Sequence, residues 1–138
     1  MDLIMKYKFK SSGFTLVELL IVMVILGLLA SIVAPRMFSK VDSAREGTAK
    51  AQMQVIATAL DSYRLDIGYY PDTLNELLQS TKRQWDGPYF PQKIPLDPWG
   101  NEYSYSASSE ANSDMFVLKS FGRDGKLGGE GEDADVEY

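Results

Sequence analysis

The sequence predicts an α+β fold in which one long N-terminal helix packs on a small antiparallel β-sheet. Residues 14–34 are apolar apart from one charge, Glu18. Beyond them Ala49, Met53, Ile56, Leu60, Tyr63 and Ile67 recur at spacings of 4, 3, 4, 3 and 4, a single helical stripe. Nearer the C-terminus, residues 101–106 and 115–118 read as short strands.

Taken in order, residues 1–13 form a polar, basic leader ending in Ser11, Ser12 and Gly13. The apolar run that follows has 21 residues. At about 1.5 Å per residue it matches the ~30 Å hydrocarbon core of a bilayer. It is apolar on every face, as a helix in lipid or in a core must be. Pro35 removes a backbone donor and should bend or loosen the helix. The amphipathic half then sets Lys50, Gln54, Thr58, Asp61 and Ser62 opposite the stripe, with Leu65 as an exception on that side. One helix is expected from about Phe14 to Ile67, its first half transmembrane, with Gly68 as its stop.

Thr73 and Glu76 have the spacing of a capping box, and Leu74, Leu77 and Leu78 give the short helix after it one apolar face. Residues 83–100 are rich in proline, glycine and aromatics. Gly87, Phe90, Ile94 and Asp97 each precede a proline and lean toward extended backbone. An ordered loop pinned by aromatic packing is expected there. Tyr103 and Tyr105 share one face of the first strand, and residues 107–113 are expected to join the strands as a hairpin. Residues 122–138 are glycine-rich and acidic.

The chain has 138 residues, no cysteine and no histidine. Disulfides, thiolate metal sites and the commonest general base are excluded. The formal net charge is −5, and the basic leader leaves −7 on the rest. That balance argues against nucleic acid as a partner. Lys6, Lys8 and Lys10 precede the apolar run, so the N-terminus is expected on the cytoplasmic side with the C-terminal part across the membrane. No Ala-x-Ala site follows the run, so an ordinary secretory signal is not expected.

Glu18 is a carboxylate near the end of a membrane helix and calls for a partner. Cleavage after Gly13 would give Phe14 a free amine one helical turn away, on its own chain or on a neighbour. Lysines followed by Gly13-Phe14-Thr15-Leu16-Val17-Glu18 and a long apolar run resemble the class III signal of type IV pilins and pseudopilins. The resemblance implies that a prepilin peptidase cuts between Gly13 and Phe14 and methylates Phe14, and that Glu18 serves assembly. Pro35 matches a helix-breaking proline of the family.

Trp85-Asp86-Gly87-Pro88-Tyr89 and Asp97-Pro98-Trp99-Gly100-Asn101-Glu102-Tyr103 suggest no catalysis by themselves. Together with Tyr69-Tyr70-Pro71 they resemble the major pseudopilins of type II secretion systems. The resemblance implies a type IV pilin-like fold, with 1–13 as leader, 14–34 as assembly helix and 35–138 as a periplasmic domain. It also implies a single-pass inner-membrane protein that polymerises with itself, alongside minor pseudopilins and an inner-membrane assembly platform.

On composition, the stretch 121–136 reads either as an acidic tail or as a calcium loop, since calcium takes oxygen ligands from carboxylates and carbonyls. The resemblance implies calcium. Carried over by position, its ligands would be Asp124, Asp135 and the backbone carbonyls of Phe121 and Lys126, with Asp133 carrying less weight. No enzyme is expected. The leading expectation is a filament subunit that drives export of folded proteins across the outer membrane. One alternative is a type IV pilin for adhesion, motility or DNA uptake, against which stand the missing cysteines and the glycine loop. The other is a membrane-tethered calcium-binding domain.

Overall fold

The computed structural model describes residues 10–108 and 115–138. Most of the expected hairpin connection lies outside the described residues, as do Lys6 and Lys8 of the leader. The chain divides into two compact units, one ending at Phe38 and one spanning Ser39–Tyr138.

The described part of the first unit is residues 10–15 and the start of α1, Leu16–Ile67. The helix runs unbroken through Pro35, which removes a single hydrogen bond from a ladder whose other members remain. From Phe14 to Val33 every large apolar side chain is at least 50% exposed. Among the described residues α1 is the helix long and apolar enough to cross a bilayer.

In the second unit, α1 contributes one face to the core. Ala49, Met53, Ile56, Leu60 and Tyr63 are buried, as the stripe predicts, and Ala57 and Ala59 widen it. Ile67 packs on the same cluster, and Leu65 is 85% exposed. The helix ends at Gly68, whose φ of +99° is the left-handed conformation of a C-terminal cap.

Three strands complete the unit: β1 (Ser104–Ala107), β2 (Phe116–Ser120) and β3 (Val136–Glu137). Their order is β1-β2-β3, with Ser104 opposite Lys119 and Ser120 opposite Val136, both pairs antiparallel. Tyr103, Leu118 and Val136 join the helix stripe in one core with Leu77 and Phe90. The sheet corrects the sequence reading twice. The first strand starts at Ser104, because Asn101 is held in a turn described below. The segment read as tail also supplies a third strand.

The expected capping box at Thr73 does not form. Leu74–Leu77 is a 3-10 helix, and Thr73 makes no side-chain cap. Glu76 is drawn elsewhere: its Oε2 accepts from Tyr63 OH at 2.7 Å and from Lys82 Nζ at 2.7 Å. Lys82 Nζ also donates to Tyr63 OH at 2.9 Å. Glu76 Oε1 accepts from the backbone N–H of Asp72 at 3.2 Å, one residue before the expected Thr73, so the carboxylate is fully engaged without closing the box. Burial alone would raise the Glu76 pKa, but the bonds from Lys82 and Tyr63 outweigh it and hold the carboxyl below its usual range. Burial pushes the Tyr63 hydroxyl up to about 12. A depressed folded-state carboxyl adds stability above the unfolded pKa of about 4.3 and loses it as pH falls through the folded value. Between pH 6 and pH 3 the midpoint of thermal unfolding should therefore fall, and circular dichroism of Glu76→Gln should show a smaller fall.

The loop after the 3-10 helix has no regular structure, as expected. Its Tyr89 packs edge to face on Tyr63 of α1, with ring centroids 5.5 Å apart, and on Trp85 at 5.7 Å.

Candidate functional site

Two regions hold the residues singled out from sequence. The first is the start of α1. Thr15 N–H donates to Glu18 Oε2 at 2.9 Å, and Glu18 N–H donates to Thr15 Oγ1 at 3.2 Å. This is a capping box, with Thr15 as N-cap and Glu18 at the third helical position. The Thr-x-x-Glu signal was present in Thr15-Leu16-Val17-Glu18, but sequence reasoning sought a partner for Glu18 only in a future amine. The carboxylate also lies where the positive end of the helix dipole favours it. Gly13 and Phe14 precede the helix, and Phe14 is 93% exposed.

The second region is the loop between β2 and β3. Its anchor is Asp97, which is buried with 4% exposure. Asp97 Oδ1 accepts from Trp99 N–H at 3.1 Å and Asn101 N–H at 2.8 Å. Its Oδ2 accepts from the fully buried Ser120 hydroxyl at 2.5 Å. Ser120 Oγ in turn accepts from Gly122 N–H at 3.2 Å, and Asn101 Nδ2 donates to Gly122 O at 2.8 Å. One carboxylate thus ties the Asp97-Pro98-Trp99-Gly100-Asn101 turn to the base of the C-terminal loop. Sequence reasoning missed this. It assigned the loop's order to aromatic packing, although Asp at the head of a Pro-x-Gly-Asn turn was a signal for backbone capping.

Gly122 is where the loop's two limbs meet. Its φ is +71°, and a Cβ there would lie 2.7 Å from Glu132 O and Ala134 O. Farther out, Lys126 N–H donates to Asp124 Oδ1 at 3.0 Å, and Gly128 N–H donates to Asp135 Oδ1 at 3.0 Å. Asp133 is engaged differently: Arg123 Nε and Nη2 donate to its two oxygens at 2.9 and 3.1 Å. Glu132 sits between Arg45 Nη1 at 2.5 Å and Arg123 Nη1 at 3.0 Å. A hydrogen bond from Asp42, with Arg45 and Arg123, holds the Glu132 carboxyl low; the same bond raises Asp42.

Among the described residues no three acidic side chains gather as a metal cluster. Asp124 and Asp135 each have one oxygen on a backbone amide. With no histidine or cysteine in the chain, the usual nitrogen and sulfur ligands are missing and carboxylates and carbonyls are left, which suits a hard cation such as calcium. Two carboxylates would leave most of its coordination to backbone carbonyls and water.

Comparison with known proteins decides the family. Residues 36–138 match the family described as Type II secretion system (T2SS), protein G, and residues 8–34 match the prokaryotic N-terminal methylation motif. The chain belongs to the type II secretion protein G family. It is 42% identical to the type II secretion system core protein G of Pseudomonas aeruginosa, over 92% of this chain and 94% of that one. Against the Vibrio cholerae core protein G the identity is 38%, over 96% and 94%. The crystal structure of the major pseudopilin from the type 2 secretion system of enterohaemorrhagic Escherichia coli superposes with a TM-score of 0.57 at 27% identity. It covers 71% of this chain and 85% of that one. The protein G family is one of structural pseudopilins. Neither the adhesion-pilin alternative nor the tethered binding domain is favoured by these matches. The helix and three-stranded sheet are the fold the resemblance implied.

Proposed function

We propose that this protein is the repeating subunit of a type II secretion pseudopilus, polymerising through α1 to drive folded proteins across the outer membrane. The observation that carries the reading is the start of α1: an apolar helix exposed on every face, opened by one carboxylate in a capping box. Such a surface needs lipid first and other helices afterwards. Self-association in a bilayer is driven by packing and by polar contacts between helices. The chain itself does no chemistry in this reading. It passes once through the inner membrane with the N-terminus cytoplasmic and the C-terminal unit periplasmic. Its partners are copies of itself, minor pseudopilins and the inner-membrane assembly platform.

Leader removal between Gly13 and Phe14, with methylation of Phe14, belongs to the same reading. Among the described residues a Cβ built on Gly13 meets no atom within 4 Å. In this reading the glycine serves recognition by the peptidase. Intact mass and N-terminal sequencing of membrane-extracted protein test the reading. A chain starting at methylated Phe14 supports it, and filaments built from chains that keep Met1 would overturn it. Gly13→Leu should leave the mature protein at the mass of the uncut precursor.

The C-terminal loop takes calcium in this reading, held by Asp124 and Asp135 with the carbonyls of Phe121 and Lys126. Asp133, bound by Arg123, is left outside the ligand set. The cation would join the loop's limbs in the folded state only. Ligand at 100 times its dissociation constant adds about 2.7 kcal/mol, which for ~100 residues is on the order of 10 °C in Tm. Asp124→Ala and Asp135→Ala should each lose that calcium-dependent rise in a thermal melt, with a much smaller change in chelator. Equal melts of wild type and variants in calcium would remove the metal from the reading.

A further inference from the structure

We propose that Arg123 is the positioning residue of the C-terminal loop: its guanidinium clasps the two limbs together and so sets the separation of Asp124 and Asp135. The inference rests on the calcium reading above. Arg123 immediately precedes Asp124, and its partner Asp133 stands two residues before Asp135. The side chain forks onto both Asp133 oxygens at 2.9 and 3.1 Å and reaches Glu132 at 3.0 Å. Its backbone N–H donates to Glu132 O at 2.8 Å. Four hydrogen bonds from one residue therefore cross between the limbs, beside the positions that would face the cation. Glu132 carries the clasp on to Arg45 of α1, at 2.5 Å.

Two carboxylates brought together repel, and an open glycine-rich loop loses much entropy when a cation closes it. A loop already closed by an internal guanidinium has met that cost before the metal arrives. The planar fork fits a carboxylate in a way an ammonium cannot. Arg123 is 58% exposed at its side chain, so the clasp shapes the loop rather than holding the core.

The sign of the effect separates the clasp from a simple field. A field argument says that removing a positive charge beside a dication site tightens binding, and that removing a negative charge weakens it. The clasp predicts weakening in both cases. Calcium binding to the full chain in detergent micelles is measured by isothermal titration for wild type, Arg123→Gln and Asp133→Asn. Each variant is expected to bind roughly 3- to 10-fold more weakly. Arg123→Gln is the deciding variant, because arginine cannot itself be a calcium ligand. Hydrogen exchange in chelator gives a readout free of metal: the amides of Arg123 and Gly128 should exchange faster in both variants. Unchanged or tighter calcium binding by Arg123→Gln would overturn the inference, whatever the exchange shows. Wild type that binds no calcium would overturn the calcium reading, and this inference with it, before any variant is compared.

Discussion

Asp97→Ala should lower the stability of the C-terminal unit by about 3–5 kcal/mol, the largest loss expected from a single side chain outside the apolar core. Three donors converge on this one carboxylate: Trp99 N–H, Asn101 N–H and the Ser120 hydroxyl. Ser120 is fully buried and water cannot replace the missing acceptor. Each orphaned buried donor costs about 1–3 kcal/mol. A domain of ~100 residues is stable by only about 5–10 kcal/mol, so Tm should fall on the order of 15 °C or more. Asp97→Asn keeps one acceptor oxygen for the backbone amides and should lose less. The loop base should loosen in both variants, because Asn101 also holds Gly122 O. Thermal melts by circular dichroism measure the first effect. Hydrogen exchange at Gly122, whose amide reaches Ser120 Oγ, measures the second. Unchanged melting of Asp97→Ala would mean that the aromatic packing alone orders the loop.

Glu18→Ala should leave membrane insertion intact and abolish filaments. Loss of an N-cap partner costs about 0.5–2 kcal/mol. That is too little to unfold a 52-residue helix whose first half is driven into lipid by its own apolar surface. Insertion is if anything easier without the charge. What the substitution removes is the only anion in the apolar run, the partner proposed for the Phe14 amine. Glu18→Gln separates two roles. Glutamine can still close the capping box but cannot neutralise an amine. If electron microscopy shows no filaments from either variant while both fractionate with membranes, the charge is what assembly needs. If Glu18→Gln builds normal filaments, the cap suffices and the ion pair is wrong.

Much of the architecture was legible in the sequence because it rests on periodicity. A stripe at spacings of 3 and 4 can only place Ala49, Met53, Ile56, Leu60 and Tyr63 on one side of a helix, and these are the residues that are buried. The stop at Gly68 was legible because a positive φ suits glycine. The strands were found as short apolar or alternating segments, but β1 was begun too early. The backbone of Asn101 belongs to the Asp97 turn, and the signal for it lay upstream, in Asp97-Pro98-Trp99-Gly100, which the alternation of residues 101–106 overrode in the reading. β3 was missed because two residues carry no pattern.

The capping boxes show the same limit. Thr15–Glu18 and Thr73–Glu76 have one spacing and one chemistry, yet only the first closes. In the fold Glu76 Oε2 is held by Tyr63, 13 residues before it, and Lys82, six after it, and Oε1 takes the amide of Asp72 in place of Thr73. Likewise Asp133 resembled Asp124 and Asp135 in sequence, and only the folded loop brings Arg123 onto it.

By itself the sequence determined the apolar run, the helix stripe, the N-terminal methylation motif and the family. These follow from hydrophobicity and from contacts between near neighbours. The tertiary structure alone decided which carboxylates are already bound. Asp97, Glu76, Glu132 and Asp133 each found a donor at least four residues away, and a charge takes the strongest partner that the fold brings within 3 Å.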